Sequence, residues 1–218
     1  MNIVFEGITG GGKTSIIKLL VAKMQKEKMK VKNISEIDKI SPLSGVLEKM
    51  YESDTFLRMK QPIDTIIAES LILAADYQYM KEYTRKFDGF VIFDRDIFTE
   101  IVYQKYFIEK RYGKENSFFH NWEKCIMFDP KTIDLVVYVE VPLSVGISRN
   151  EFRDNRKFTD EQKNILKDLS KLQKIYIHNY CKDRNIDLIM LDGTQTVEYN
   201  AMYVLNFLKD KEKRYNEL

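Results

Sequence analysis

The nine residues "GITGGGKTS", Gly7 to Ser15, follow the apolar run "NIVFE" and constrain the chain more than any other stretch. Gly7, four residues, then Gly12, Lys13 and Thr14 fit the spacing GxxxxGK[ST], in which glycines aim backbone amides at an anion instead of reversing the chain. Gly7, Gly10, Gly11 and Gly12 remove the side chains that would keep a polyphosphate away from those amides. The loop needs a strand before it and a helix after it, because the helix N-terminus adds its positive end. Both are present: "NIVFE" is strand-like, and Ile16, Ile17, Leu19, Leu20 and Met24 fall along one helical side, with Lys18, Lys23 and Lys26 elsewhere. ATP is the expected ligand, with Lys13 reaching the outer phosphates and Thr14, next to Ser15, placed to hold magnesium.

Short β-branched and aromatic runs recur at "VKNIS", "FVIFD", "LVVYVEV" and "IDLIML", separated by longer stretches of helical spacing. That alternation predicts an α/β fold with a parallel sheet covered by helices on both faces. The 218 residues contain no Pro-, Gly- or Ser-rich divide, so one domain over 1–218 is expected. Thirty-five Lys and Arg stand against thirty-three Asp and Glu, a balance that argues against a nucleic acid polymer as partner and for a small one. Cys125 and Cys181 lack metal or disulfide spacing. Apolar runs such as "LILAA" are too short to span a membrane, and the N-terminus lacks the pattern of a secretory leader, so a cytoplasmic protein is expected.

Two further features bear on chemistry. In "VIFDRD" an apolar strand ends in Asp94 and Arg95, and open parallel sheets bind ligands at the carboxyl ends of their strands. Asp94 suits the magnesium shell or an acceptor proton, and Arg95 suits a phosphate. Arg149, Arg153 and Arg156 recur at steps of four and three, which on a helix gives about one face. They predict a lid over about 149–160 that closes on transferring phosphates; the plainer reading is a solvated face paired with Glu151 and Asp154. Trp122 and its aromatic neighbours read as core or a dimer face, and the apolar surplus in "IFTEIVYQKYF" suggests a homodimer.

On these residues the sequence resembles the thymidylate kinases, nucleoside monophosphate kinases of the P-loop fold. "IVFEGITGGGKTS" is similar to their first strand and phosphate loop, "AESLILAADYQYM" to their substrate-side helix, and "VIFDRDIFTEIVYQ" to their Asp-Arg to Tyr-Gln segment. "VYVEVPLSVGISRN" resembles the strand entering the lid, and "LDGTQTVEYNAMYVL" the last loop and helix. The resemblance implies a five-stranded parallel sheet and transfer of the ATP γ-phosphoryl group to a nucleotide. It places Lys13 and Thr14 on ATP and magnesium, Asp94 and Arg95 on the acceptor side, Tyr103 on the sugar with Gln104 beside it, and the lid arginines on the transition state. The loop around Asp192 to Gln195, with Asp192 and Thr194 on ATP, is placed beside adenine.

Departures gather on the acceptor side. Thr9 stands where the family carries an acidic residue, and only Glu36 matches the segment after the second strand. Leu73 replaces a base-stacking phenylalanine, Tyr77 a base-reading arginine, and Glu100 an amide or small hydroxyl residue. Tyrosine has no cationic fork for a carbonyl, and a carboxylate meets an amino group better than a carbonyl. A different or relaxed acceptor is therefore expected. Two alternatives stay open: a deoxynucleoside kinase with Glu36 as base, and a nucleotide-binding regulatory module without turnover.

Overall fold

The computed structural model describes residues 1–35, 40–51, 63–114, 117–127 and 132–216. Within them the chain alternates strand and helix: β1 (Asn2–Glu6), α1 (Lys13–Lys26), β2 (Val31–Ser35), α2 (Ser44–Tyr51), α3 (Ile63–Arg85), β3 (Phe90–Asp94), α4 (Ile97–Tyr112), α5 (Ser117–Met127), β4 (Leu135–Glu140), α6 (Leu143–Asp154), α7 (Asp160–Arg184), β5 (Asp187–Asp192) and α8 (Val197–Asn216). All five strands expected from the apolar runs are present.

They form one parallel sheet in the order β2-β3-β1-β4-β5. Central β1 has Val4 beside Phe93 on one side and Val136 on the other. Because successive side chains point to opposite faces, one strand feeds two cores. Val4, Phe93, Val136 and Tyr138 face α3, α4, α5 and α7, whereas Ile3, Phe5, Ile92 and Val137 face α1 and α8. Parallel pairing puts Glu6, Ser35, Asp94, Glu140 and Asp192, each the last residue of its strand, along a single edge.

Two expectations change here, and the core reading of Trp122 holds. The apolar surplus of α4 is consumed within the chain, since Ile97, Phe98, Ile101, Val102, Phe107 and Ile108 are all buried among helix neighbours and the sheet. It no longer argues for a dimer. Trp122 is core, its indole donating to the Ser70 carbonyl at 2.5 Å. The charged stretch after β4 is only partly a surface cover: α6 ends at Asp154 because Asn155 turns left-handed at φ +49°, and Phe158 then plugs into the core at 5 % exposure. Thr159 starts α7 through a reciprocal capping box with Gln162. No described helix is long and apolar enough to cross a membrane.

Candidate active site

The phosphate loop leaves β1 at Gly7 and enters α1 at Gly12, whose φ of +94° puts it in the left-handed region. Two glycines are required by contacts within the protein itself. A Cβ on Gly7 would lie 2.3 Å from the Val139 carbonyl oxygen, and one on Gly10 would lie 2.1 Å from that of Gly146. The loop is wedged between β4 and the start of α6, so its amides are held in place before any ligand arrives. Lys13 is 5 % exposed and donates to the carbonyls of Gly7 at 2.7 Å and Ile8 at 3.0 Å, folded over the loop it serves.

A cavity of about 760 Å³ opens above the loop, lined by Thr9, Gly10, Gly12, Lys13, Thr14, Ser15, Lys18, Ser35, Asp94, Arg95, Arg149 and Arg153. Thr14 Oγ1 donates to Asp94 Oδ2 at 2.5 Å, joining the start of α1 to the end of β3. Arg95 holds a left-handed backbone at φ +70°, uncommon for a residue with a Cβ, and its amide donates to the Phe5 carbonyl at 3.0 Å. Arg149 donates to the carbonyls of Gly193 at 2.9 Å and Gly10 at 3.4 Å, clamping the phosphate loop to the turn after β5. Arg153 borders the cavity while bonded to Asp154 at 2.7 Å, so the solvated ion-pair reading and the cavity reading hold together for that residue.

A narrower recess of about 30 Å³ adjoins this cavity and shares Ser35 and Arg95 with it. Asp76, Tyr77 and Met80 of α3 and Asp96 and Glu100 line the remainder with Ile34 and Phe93. Burial raises the pKa of Asp76, opposed by a hydrogen bond with Ser41 and reinforced by the charge of Asp96. The recess is acidic, walled by hydrogen-bond acceptors.

Behind both lies a group that sequence reading passed over. Glu6 is fully buried; its Oε1 accepts from the amides of Asp96 at 3.1 Å and Thr99 at 3.2 Å, and its Oε2 from Thr99 Oγ1 at 2.6 Å and Gln173 Nε2 at 2.9 Å. Desolvation pushes its pKa up to about 7, against the pull of Arg95, the Thr99 and Asp96 hydrogen bonds and Lys13. The folded state therefore holds this proton more tightly than the unfolded chain. The stabilisation from the neutral acid is complete below about pH 4.5 and lost as pH rises through about 7. The unfolding free energy should fall across that window by a few kcal/mol, at about 1.4 kcal/mol per pKa unit, the melting temperature should fall with it, and Glu6→Gln should flatten both. A Gln variant whose melting tracks the wild type at every pH refutes this.

Other predicted residues lie elsewhere. Arg156 falls past the end of α6, so the expected three-arginine face is corrected to two; it pairs with Asp154 at 3.8 Å and sits over the Phe158 ring. Leu73 is buried at 5 % exposure and lines neither the cavity nor the recess. Gln104 is wholly buried, accepting from Ser70 Oγ at 2.9 Å and donating to Glu69 at 3.3 Å, where it joins α3 to α4. Tyr103 packs against the same core. Gly7 and Gly11 shape the loop without lining the cavity, and Asp192 and Thr194 form an exposed turn closed by hydrogen bonds of 2.8 and 2.6 Å. Glu36 lies outside the described residues. Gly146 and Gly193 also escaped notice; each stands where a Cβ would strike the phosphate loop or its support, and their only signal is a glycine inside a helical stretch or following a strand.

Among proteins of known sequence and structure, the thymidylate kinase family model matches residues 5–201. A thymidylate kinase of Thermosipho melanesiensis is 26 % identical over 206 residues, covering 91 % of this chain and 92 % of that one. An uncharacterized protein of Mycoplasma pneumoniae is 27 % identical over 215 residues, covering 96 % and 90 %. In fold, the chain is similar to deoxyadenosine kinase from M. mycoides, solved with dCMP and dCDP and also with dATP, at a TM-score of 0.65 and 16 % identity over 96 % of this chain and 100 % of that one.

Proposed function

The chain belongs to the thymidylate kinase family, and from that premise we propose that it moves the γ-phosphoryl group of ATP to a nucleoside monophosphate whose base presents an amino group. Membership makes it an ATP-dependent nucleotide kinase; the acceptor is the part proposed. The observation that carries the reading is the position of Arg95, shared by the large cavity and the acidic recess. A monophosphate whose phosphate meets Arg95 turns the amino edge of its base toward the mouth of the recess, which at about 30 Å³ admits a small group and not the whole ring, and its reacting oxygen toward the loop that cradles ATP.

In-line phosphoryl transfer asks for alignment and charge neutralisation more than for a nucleophilic side chain. The amides from Gly10 to Thr14 and the start of α1 hold the ATP tail, Lys13 turns from loop carbonyls to phosphate oxygens, and Arg153 adds positive charge at the rim. Arg149 keeps the loop in place. Thr14 and Asp94 offer adjacent oxygen donors beside the cradle, a set that fits magnesium, a hard cation that keeps several waters and phosphate oxygens in its shell. When bound there it would supply neutralising charge to the phosphates.

Asp76 and Glu100 favour a base that donates hydrogen bonds. Adenine, cytosine and guanine carry amino groups; thymine offers carbonyls and a single N–H. ADP formation from ATP, measured against a panel of monophosphates and nucleosides, should be faster with dAMP, dCMP or dGMP than with dTMP. Glu100→Gln, which gains a donor, should shift the ratio toward dTMP by about tenfold, roughly one hydrogen bond. Fastest turnover of dTMP overturns the base assignment. Turnover of nucleosides alone replaces the monophosphate reading with a deoxynucleoside kinase, and tight ATP binding without acceptor-dependent ADP makes the protein a binding module.

A further inference from the structure

The arginine shared by cavity and recess is held by an arrangement that phosphoryl transfer does not itself require. Its backbone turn is fixed from β1, through the Arg95 amide on the Phe5 carbonyl and the Asp96 and Thr99 amides on Glu6. Its side chain donates to Thr99 Oγ1 at 3.2 Å. That hydroxyl has one proton, given to Glu6 Oε2 at 2.6 Å, which leaves its lone pairs for Arg95 and for Gln173 Nε2 at 3.0 Å. In its ionised form the buried carboxylate thus fixes which way the hydroxyl points, and the hydroxyl fixes a guanidinium nitrogen.

We propose that Glu6 and Thr99 act together as positioning residues for Arg95, presenting its guanidinium to the phosphate of the acceptor, and that Gln173 ties this relay to α7. The inference rests on the acceptor reading given above. Three parts of the fold meet at the relay: β1, which leads into the phosphate loop; the turn into α4, which carries Arg95; and α7, the helix that follows the arginine-bearing α6. The charged and titratable groups facing Glu6 are Arg95 from the β3–α4 turn, Lys13 from α1 and Tyr138 from β4, while Asp96 contributes its backbone amide. Gln173 is the neutral contribution of α7. Arg95 and Lys13 are the cations expected to take up phosphate, so the carboxylate lies between the two ends of the transfer.

A helix cap alone would make the same amide bonds, so the test must separate capping from positioning. Thr99→Val keeps the shape and removes the hydroxyl; Thr99→Ser restores it. In steady-state kinetics with ATP and the acceptor that the wild type turns over fastest, the valine variant should raise the acceptor KM about tenfold and leave the ATP KM within about twofold, the loss of one charge-assisted hydrogen bond. Serine should return it to wild type. Equal rises in both KM values, or a serine variant no better than valine, overturn the relay.

A second measurement needs no acceptor. In the free protein the Arg95 Nε resonance, assigned by its loss in Arg95→Lys, should follow the Glu6 carboxyl titration in wild type and Thr99→Ser, and cease to follow it in Thr99→Val and Glu6→Gln. A resonance indifferent to that titration in the wild type overturns the relay. A wild type that forms no ADP but shows the coupled resonance overturns the acceptor reading and keeps the relay, so the two failures are distinguishable.

Discussion

Lys13→Ala should lower the turnover number for ADP formation by roughly 10²–10³, the scale on which removing one pre-placed donor slows a reaction that depends on electrostatic stabilisation. The side chain is buried and sits over Gly7 and Ile8 with its ammonium 2.7 and 3.0 Å from their carbonyl oxygens. Those bonds localise the charge within reach of a phosphate tail resting on the loop amides, and phosphate oxygens replace the carbonyls as partners when ATP enters. Alanine removes the charge and leaves two loop carbonyls to water. Arginine does not rescue it, because a planar fork on a longer stem does not fit a position shaped for a compact ammonium. A coupled assay for ADP reads the effect on turnover, and calorimetric titration with ATP and magnesium separates it from affinity. Retention of more than about a tenth of wild-type turnover would remove Lys13 from the transfer step.

The parts of this site visible in the sequence are those made by neighbours along the chain. The phosphate loop is one segment, and its spacing alone specifies the amides, Lys13 and Thr14. The strand ends were legible for a related reason: apolar runs fix the sheet, and a parallel sheet puts Asp94 on the same edge as Gly7. What stayed hidden depends on contacts between distant segments. Glu6 reads as an acidic residue at the close of a strand until Asp96, Thr99 and Gln173 are seen to surround it, the last 167 residues away. Gln104 reads as an acceptor-side polar group because it follows Tyr103, yet its helical phase turns it inward to Ser70 and Glu69. Arg156 fits an arginine period that the chain abandons one residue earlier, where Asn155 turns left-handed. Helical spacing says which residues share a face only while the helix lasts. Leu73 and Tyr77, both matched to base-contacting positions by resemblance, divide in the same way: the tyrosine lines the recess and the leucine belongs to the core.

Glycine substitutions in the loop should separate its two requirements. A Cβ at Gly10 would stand 2.1 Å from the Gly146 carbonyl oxygen, 2.9 Å from its carbon and 3.0 Å from its Cα, all backbone atoms of α6 that have no rotamer to yield. The φ of +75° adds left-handed strain of about 1–2 kcal/mol. Gly10→Ala must therefore push the loop off α6, stretching the Arg149 bond to the Gly10 carbonyl and turning the amides away from a common point. A loss of several kcal/mol in stability is expected, with ATP affinity falling at least a hundredfold, since the cradle no longer exists to be filled. Gly12 has a φ of +94° and nothing within 4 Å of an added Cβ. Gly12→Ala meets backbone strain alone, and should cost about 1–2 kcal/mol while keeping the loop on its support. Urea unfolding and ATP titration of the two variants side by side decide the matter. If Gly10→Ala is no more damaging than Gly12→Ala, the loop is not braced against α6, and its shape before ATP arrives must come from the glycines' own conformational preferences.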